Sequence, residues 1–541
     1  MIGWRGWDTS ETNLEAEGAR SFSLSVALPW RTPARLPSLQ WPAMNKLIPG
    51  LIFFLLLLLT ACGGGGSSNT NPPPPVTVNA NVAVDSTTNG PFVLAMSTSF
   101  QPAEWDYQFF QNVPSATTPL GNLNPHHIRL QGVSQGIPQT SPTTWDFSKL
   151  DAITQPVLAV GDQSPEFQVA WAPTFMWSNG TAGGTLDVNA FTGYAQNLVR
   201  YYNTGGFTAA DGPHVSPAYP NEKIAWWGIL NEPSINHIAD ANQYTQIYNQ
   251  VVPAMENVDP TIKFVALELC CGSESWAQTF AQNVSAPVDA VASHYYSSCN
   301  QRDTDAQLMA TVPGFASSVQ TIYAGLSTNV ALANIPIWIT ENNVNADFNA
   351  GNNMSACNPG QTFVTDQRGT SVFFAAWRPY VFSQLGKAGA QALYHWDFDA
   401  DAQYGEVDFN NGNKMLSYWV DYWLGQYFPT GNGNPQQLLL DSTNSNTAQV
   451  EVLPVQNADG SVVILVSNHA VASPTDNNGA GLTANVSIDI SALGSFSSAS
   501  ELVIDSTTSA TAGPTATPIT AASPINLTMN GYSVAFVKLV P

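Results

Sequence analysis

The sequence predicts an α/β fold, a (β/α)₈ TIM barrel, with a C-terminal all-β sandwich domain. Three observations predict it. Short apolar runs alternate with longer stretches of helical period between residues 92 and 426. After residue 427 the runs become short and alternating, and Gly, Asn, Ser and Thr separate them. The length, 541 residues, exceeds what one ordinary hydrophobic core contains, so more than one domain is expected.

Eight apolar runs are predicted to form the barrel strands: 92–97, 127–131, 167–171, 224–230, 264–269, 288–294, 335–340 and 390–396. The segments between them have helical spacing, as in the apolar positions Val188, Phe191, Tyr194, Leu198 and Tyr201. Eight buried strands separated by helices favour a closed barrel over a doubly wound sheet. The latter usually has fewer strands and a glycine-rich turn after the first.

The predicted barrel occupies residues 89–428 and the predicted sandwich residues 429–541. Short alternating runs predict the sandwich strands: 449–453, 462–467, 484–490, 501–504 and 532–539. Another alternating run, in residues 76–88, precedes the first barrel strand. It is predicted to join the sandwich, which would bring both ends of this region into one domain.

Residues 44–61 have the features of an export signal. A short start containing Lys46 is followed by an apolar run from Leu47 to Leu59 and by small residues. The run is shorter than the ~20 residues of a membrane-spanning helix. Leu59-Thr-Ala-Cys62 resembles the lipobox of bacterial lipoproteins, which implies lipidation of Cys62 and a membrane anchor in the cell envelope. By resemblance to lipoprotein sorting in Gram-negative bacteria, Gly63 in place of aspartate after the cysteine implies the outer membrane, with the protein periplasmic or surface-exposed.

The segments on either side of this signal have simpler interpretations. Residues 1–43 do not fit an export signal, and a start assigned too far upstream is the simplest explanation. Residues 62–75 are rich in Gly, Ser and Pro and are predicted to be a tether.

Composition excludes some functions. Asp and Glu number 39 against 16 Lys and Arg, a net charge of −23, which repels nucleic acid and favours neutral substrates. The seven histidines show no metal-ligand spacing, so neither a catalytic metal nor another cofactor is expected.

Two glutamates stand where apolar predicted strands end. Asn231-Glu232-Pro233 closes the fourth strand and Glu341 closes the seventh. Packing explains such residues poorly because a lone charge is costly to bury. Active groups of these barrels lie at the C-terminal ends of the strands, and two carboxyls facing one cleft are what glycosidic cleavage needs.

This arrangement resembles clan A of the retaining glycoside hydrolases. The resemblance implies that Glu232 is the acid/base and Glu341 the nucleophile in double displacement at β-glycosidic bonds of an oligo- or polysaccharide. The sandwich beside the barrel is similar to family 39, with families 30, 51, 79 and 5 as neighbours.

The same resemblance implies roles at other strand ends. Arg129 would lie beside the nucleophile, Tyr296 would donate a hydrogen bond to it, and Trp396 would form the floor of the sugar site. Asn231 would grip the sugar. Five further residues have two possible interpretations. Each could line an additional sugar subsite or could lie in the core or a loop: Trp171, Trp177, Glu268, His294 and Asp397. Of these, Trp171 and His294 are predicted to bind substrate.

Four cysteines follow the fifth, sixth and seventh strands: Cys270, Cys271, Cys299 and Cys357. An even number in an oxidising compartment predicts two disulfides, with three pairings open. A vicinal Cys270–Cys271 bond would be strained, and free buried thiols are the alternative.

Two other functions remain open. One is a non-catalytic surface lipoprotein that binds glycans, although the presence of both glutamates argues against a degenerate barrel. The other is a transglycosylase, which would use the same residues. The sequence leaves open the sugar, the linkage, endo or exo action and the oligomeric state.

Overall fold

The computed structural model describes residues 76–101, 107–131, 137–161, 164–180, 183–217, 223–236, 238–429 and 436–541. The predicted signal, Cys62 and the predicted tether lie outside these ranges. The strands are β1 (Thr77–Phe92), β2 (Ala95–Phe100), β3 (Ile128–Gln131), β4 (Glu166–Val169), β5 (Phe207–Thr208), β6 (His214–Val215), β7 (Trp226–Ile229), β8 (Lys263–Leu269), β9 (Ala290–Ser298), β10 (Ile337–Asn345), β11 (Ala392–His395), β12 (Asp399–Ala400), β13 (Val407–Asp408), β14 (Gln436–Asn444), β15 (Val450–Gln456), β16 (Val462–Asn468), β17 (Thr483–Asp489), β18 (Ser498–Ile504), β19 (Thr517–Ile519), β20 (Ile525–Met529) and β21 (Ser533–Val540).

The α-helices are α1 (Phe109–Asn112), α2 (Thr117–Leu123), α3 (Ser148–Ala159), α4 (Val188–Thr204), α5 (Ala241–Glu256), α6 (Trp276–Asn283), α7 (Asp305–Leu326), α8 (Val372–Lys387) and α9 (Leu416–Tyr427). Side-chain caps begin several of them, since Asp187, Asp240 and Thr304 accept hydrogen bonds from first-turn backbone N–H groups. No helix in the part of the chain that the structure describes is long and apolar enough to cross a bilayer.

Eight parallel strands close into the barrel in the order β2-β3-β4-β7-β8-β9-β10-β11, which confirms the predicted fold class. The first barrel strand begins later than predicted. Phe92 ends β1, where its ring packs between Phe382 and Phe428, with ring centroids 5.6 and 5.5 Å away. The apolar character of Phe92 therefore serves the contact between barrel helices and β1, not a barrel strand.

The second domain is one nine-stranded sheet, in the order β19-β18-β21-β16-β15-β14-β1-β17-β20. Strand β1 lies inside it, antiparallel to β14 and parallel to β17. Its buried residues alternate with exposed ones from Val78 to Val84, as expected for a strand with one packed face. Three strands of this sheet had no sequence prediction, namely β14, β19 and β20.

Helix α8 lies between the barrel and this sheet and is buried over most of its length. The Ser467 hydroxyl of β16 donates to the Ala376 carbonyl at 2.7 Å, and the Lys387 ammonium is 2.8 Å from a Glu451 carboxyl oxygen. Arg378 on the same helix pairs with Asp421 of α9 at 3.0 Å. The sheet is thus fixed to the barrel through a helix that also borders the strands of the site.

The disulfide prediction is half wrong. Cys299 is bonded to Cys357, with Cα atoms 5.7 Å apart, whereas Cys270 and Cys271 are free thiols. Cys270 is buried at the end of β8, and Cys271 is exposed with a positive φ of +59°. Their thiols thus lie in different environments, and the one bond that forms joins the segments after β9 and β10.

We expect peptide mapping without reduction to find one linked pair, Cys299 with Cys357, and alkylatable thiols at Cys270 and Cys271. Cys299→Ser should lower the free energy of unfolding by ~2–4 kcal/mol because the bond closes a long loop. Cys271→Ser serves as the control, since it removes an exposed thiol and should leave unfolding nearly unchanged. Free thiols at all four positions would contradict the pairing.

Candidate active site

Glu232 follows β7 in a stretch of unusual backbone. Leu230 and Glu232 have φ values of +62° and +44°, a left-handed conformation that costs energy outside glycine. These turns break the alternation of the strand, so Asn231 and Glu232 both make contacts at the barrel mouth. A Glu232 carboxyl oxygen lies 2.9 Å from Nδ1 of His294. The side chain keeps 14% of its surface exposed, enough to meet a ligand.

Glu341 lies within β10, not after its end as the sequence predicted. Strands β9 and β10 continue to pair as far as Ser298 and Asn345, with a register shift between Ile339 and Glu341. Such a bulge turns consecutive side chains to the same face. Accordingly, Thr340 and Glu341 both make hydrogen bonds inside the barrel.

Three donors hold the Glu341 carboxylate. Arg129 and Gln131 donate to Oε1 at 3.0 and 3.2 Å, and the Tyr296 hydroxyl donates to Oε2 at 3.0 Å. Burial raises the pKa of Glu341, and the nearby charges of His294 and Arg129 oppose that rise without cancelling it. Glu341 should therefore become fully ionised at a higher pH than an ordinary glutamate.

The two glutamates face each other across the mouth. One oxygen of Glu232, one oxygen of Glu341 and a nitrogen of His294 all lie within 4.8 Å of one another. The Nδ1 atom of His294 is 2.9 Å from Glu232 and 3.5 Å from Glu341. The ring itself is fully buried, so His294 supports the glutamates from below and has no face open to a substrate.

Two other predicted substrate residues, Asn231 and Trp396, lie next to Arg129, which contacts Glu341. Asn231 accepts hydrogen bonds at Oδ1 from Arg129 at 3.1 Å and Gln168 at 3.2 Å. Trp396 follows β11 and is half-buried, with its ring centroid 5.9 Å from the Arg129 guanidinium carbon. Trp171 follows β4 and is also half-buried.

Trp177, Glu268 and Asp397 were predicted to lie either in a sugar subsite or in the core or a loop. The structure shows that all three are buried. Trp177 belongs to the hydrophobic core, at 5% exposure. Glu268 is wholly buried beneath His294 and cannot line a subsite. Asp397 is buried beside Trp396, where burial and the neighbouring Asp401 raise its pKa well above the ordinary value.

A buried ionic cluster supports the site from inside the barrel. Arg129 is fully buried, with nitrogens 3.0 Å from Glu341, 3.4 Å from Glu268 and 4.0 Å from Glu166. Burial and the charge of Glu268 raise the pKa of Glu166 to about 8, and Tyr394 donates to it at 2.8 Å. Glu166 is therefore protonated near neutral pH. Gln131, Gln168 and Glu166 were not predicted from the sequence, although each is a polar residue in an apolar strand.

Two clusters among the described residues have metal-ligand geometry. One is Glu232, His294 and Glu341, and the other is His395, Glu406 and Asp421. In the second, His395 Nδ1 is 2.6 Å from Asp421, and Asp421 also pairs with Arg378. A cation at either place would compete with the hydrogen bonds and ion pairs that His294, His395 and Asp421 already make.

The chain matches no family model and no curated protein. It is similar in structure to a monomeric β-xylosidase from Caulobacter crescentus CB15, with a TM-score of 0.59 and 14% identity over 86% of this chain and 100% of the other. A GH39 enzyme from Xanthomonas axonopodis pv. citri gives a TM-score of 0.58 at 13% identity over 88% and 100%. The GH51 arabinofuranosidase from the same organism gives 0.57 at 12% identity over 86% and 100%. At such identities the likeness shows a shared fold.

Proposed function

We propose that this protein is a retaining glycoside hydrolase that cleaves β-glycosidic bonds of an oligo- or polysaccharide. The proposal depends on one observation, that one carboxyl oxygen of Glu232 and one of Glu341 lie within 4.8 Å of each other at the mouth. Retaining enzymes hold their carboxyls roughly 5–5.5 Å apart, whereas inverting enzymes need roughly 6.5–9.5 Å to admit a water. The short separation favours double displacement.

In the first step Glu341 attacks the anomeric carbon and forms a glycosyl ester while the glycosidic C–O bond breaks. The leaving oxygen takes a proton from Glu232. Arg129, Gln131 and Tyr296 hold the attacking carboxylate in a fixed orientation through three hydrogen bonds. In the second step Glu232 removes a proton from water, which attacks the same carbon and releases Glu341.

Asn231 and Trp396 have suitable positions for binding the sugar. Both hydrogen bonds that fix Asn231 end on its Oδ1 atom, so its amide nitrogen can donate to a sugar hydroxyl. Trp396 is half-buried beside Arg129 and offers an aromatic face to the C–H groups of a pyranose.

A panel of aryl β-glycosides and polysaccharides tests this function. We expect one class to be hydrolysed with a first-formed product of retained configuration. A 2-deoxy-2-fluoro glycoside of the same sugar should add its mass to the peptide that carries Glu341. Inverted configuration would contradict Glu341 as the nucleophile. Binding without turnover would favour the glycan-binding alternative, and transfer to sugar acceptors in place of water would favour a transglycosylase.

We also propose attachment to the cell envelope through a lipid on Cys62. The support is the sequence from Leu47 to Cys62, which lies outside the described residues.

A further inference from the structure

Glu268 occupies a position that packing alone does not explain. It stands near the end of β8, where Leu267 and Glu268 have φ values of +79° and +45° and the register against β9 shifts. The side chain has no exposed surface. A wholly buried carboxylate held by strained backbone is costly, so its contacts indicate what it does.

Those contacts end on one oxygen. Oε2 of Glu268 is 2.9 Å from Nε2 of His294, accepts from the Thr340 hydroxyl at 2.6 Å and lies 3.4 Å from Arg129. On the far side of the ring, Nδ1 of His294 is 2.9 Å from the Glu232 carboxyl oxygen. Glu268, His294 and Glu232 therefore form a continuous line from the barrel interior to the mouth.

The hydrogen bonds from Glu268 to His294 and from His294 to Glu232 determine which atoms can carry protons. An ionised Glu268 only accepts hydrogen bonds, so Nε2 of His294 must carry a proton. The ring's other nitrogen then shares a single proton with Glu232, whether it is drawn on Nδ1 or on the carboxyl oxygen. This proton lies beside the group that the proposed mechanism requires as an acid.

On the basis of the proposed function, we propose that Glu268 is a positioning residue that orients His294 and keeps one proton on the His294–Glu232 pair. Glu232 can then deliver that proton to the leaving group and receive it again from water. Glu268 touches no substrate in this scheme and acts on the shared proton through His294.

The charges around His294 agree with this role. Burial opposes a positive charge on the ring, but Glu341, Glu232 and Glu268 outweigh it and raise the pKa of His294 to about 10. Burial likewise opposes ionisation of Glu268, yet Arg129 and His294 prevail and lower its pKa.

The remaining titratable neighbours of Glu268 are neutral near pH 7. Burial raises the pKa of Tyr244 and Tyr394 above the ordinary tyrosine value, and the pKa of Glu166 to about 8. At neutral pH, Glu268 is therefore the negative charge behind the ring, on the side away from Glu232 and Glu341.

The test is the pH dependence of kcat/KM for Glu268→Gln on an aryl glycoside with a poor leaving group. Removing the negative charge weakens proton binding to the His294–Glu232 pair. The alkaline limb of the kcat/KM profile should therefore move to lower pH by about one pH unit or more. A dinitrophenyl glycoside, which needs little protonation, should lose much less activity. If Glu268 had only a structural role, Glu268→Gln would lower kcat/KM equally on both substrates and would leave the alkaline limb of the pH profile at its wild-type position.

Glu166→Gln is the matched control. It replaces a buried glutamate of the same cluster that contacts Arg129 and Tyr394 and carries a proton near neutral pH. It should move the alkaline limb far less than Glu268→Gln does. Equal shifts in the two variants, or no shift in Glu268→Gln, would overturn the proposal.

A second measurement does not need an active enzyme. In protein labelled at histidine Cε1, the NMR signal of His294, assigned by its absence in His294→Gln, should titrate with a pKa of about 10. An ordinary midpoint near 6.5 in the wild type would refute the proposal. If no glycoside is hydrolysed, the proposed function fails, while a His294 midpoint that falls in Glu268→Gln still supports the pairing with Glu268.

Discussion

Glu341→Ala should abolish turnover on every glycoside that the wild type cleaves, by roughly 10⁴-fold or more in kcat. No other carboxylate stands 3.0 Å from both Arg129 and Tyr296, so among the described residues none can replace it as nucleophile. The loss should not depend on the leaving group, because the missing step is bond formation at the anomeric carbon. Initial rates on the wild-type substrate check it.

Azide separates this result from misfolding. In Glu341→Ala a small anion can enter the space of the lost carboxylate and displace an activated leaving group once. The glycosyl azide should then have inverted configuration. Because the substitution leaves Arg129 and His294 short of a negative partner, the melting temperature of each preparation should be recorded. A variant that keeps more than about a tenth of wild-type kcat would remove Glu341 from its role.

Glu232→Ala should lose ~10²–10⁴-fold in rate on substrates whose leaving group needs a proton. With a dinitrophenyl leaving group the first step should proceed nearly normally, and hydrolysis of the glycosyl ester should become slow. Added azide should then speed turnover and give a product of retained configuration, opposite to that from Glu341→Ala.

The pair of azide products assigns the two glutamates independently. Asn231→Ala is a useful comparison for the Glu232 variant, because it changes the adjacent residue and leaves both carboxyls in place. It should slow all leaving groups alike. If Glu232→Ala shows the same loss for phenyl and dinitrophenyl leaving groups, Glu232 is not the proton donor.

Periodicity predicted the barrel well because burial imposes it. Each of the eight barrel strands carries an apolar run, and the predicted runs 264–269 and 288–294 match β8 and β9 to within a few positions at each end. The two glutamates were found because a charge in such a run is rare. Strands β14, β19 and β20 were missed. β19 and β20 have only three and five residues, and β14 carries its apolar residues as a run of three leucines, so none of them shows a long alternation.

Details of the site depend on backbone geometry that no residue pattern encodes. The bulge at Thr340 turns Glu341 towards Arg129. The positive φ of Glu268 directs its side chain beneath His294. Glu232, Glu268 and Glu341 all look alike in sequence, as single charges in apolar runs. Only the depth of each in the barrel separates a residue that can meet a sugar from one that cannot.

The position of β1 has a consequence for how the chain reaches its native state. Val82 of β1 pairs with Asn444 of β14 on one side and with Ile488 of β17 on the other. Because β1 precedes both strands by several hundred residues, the ribosome synthesises it long before either of them. Contacts so far apart in sequence form late, and until then the strand has two unsatisfied edges. The barrel is in effect an insertion in the sheet, and a chain cut after the barrel would keep a 16-residue strand without its neighbours. The barrel and the nine-stranded sheet should therefore be expressed and engineered together as a single polypeptide.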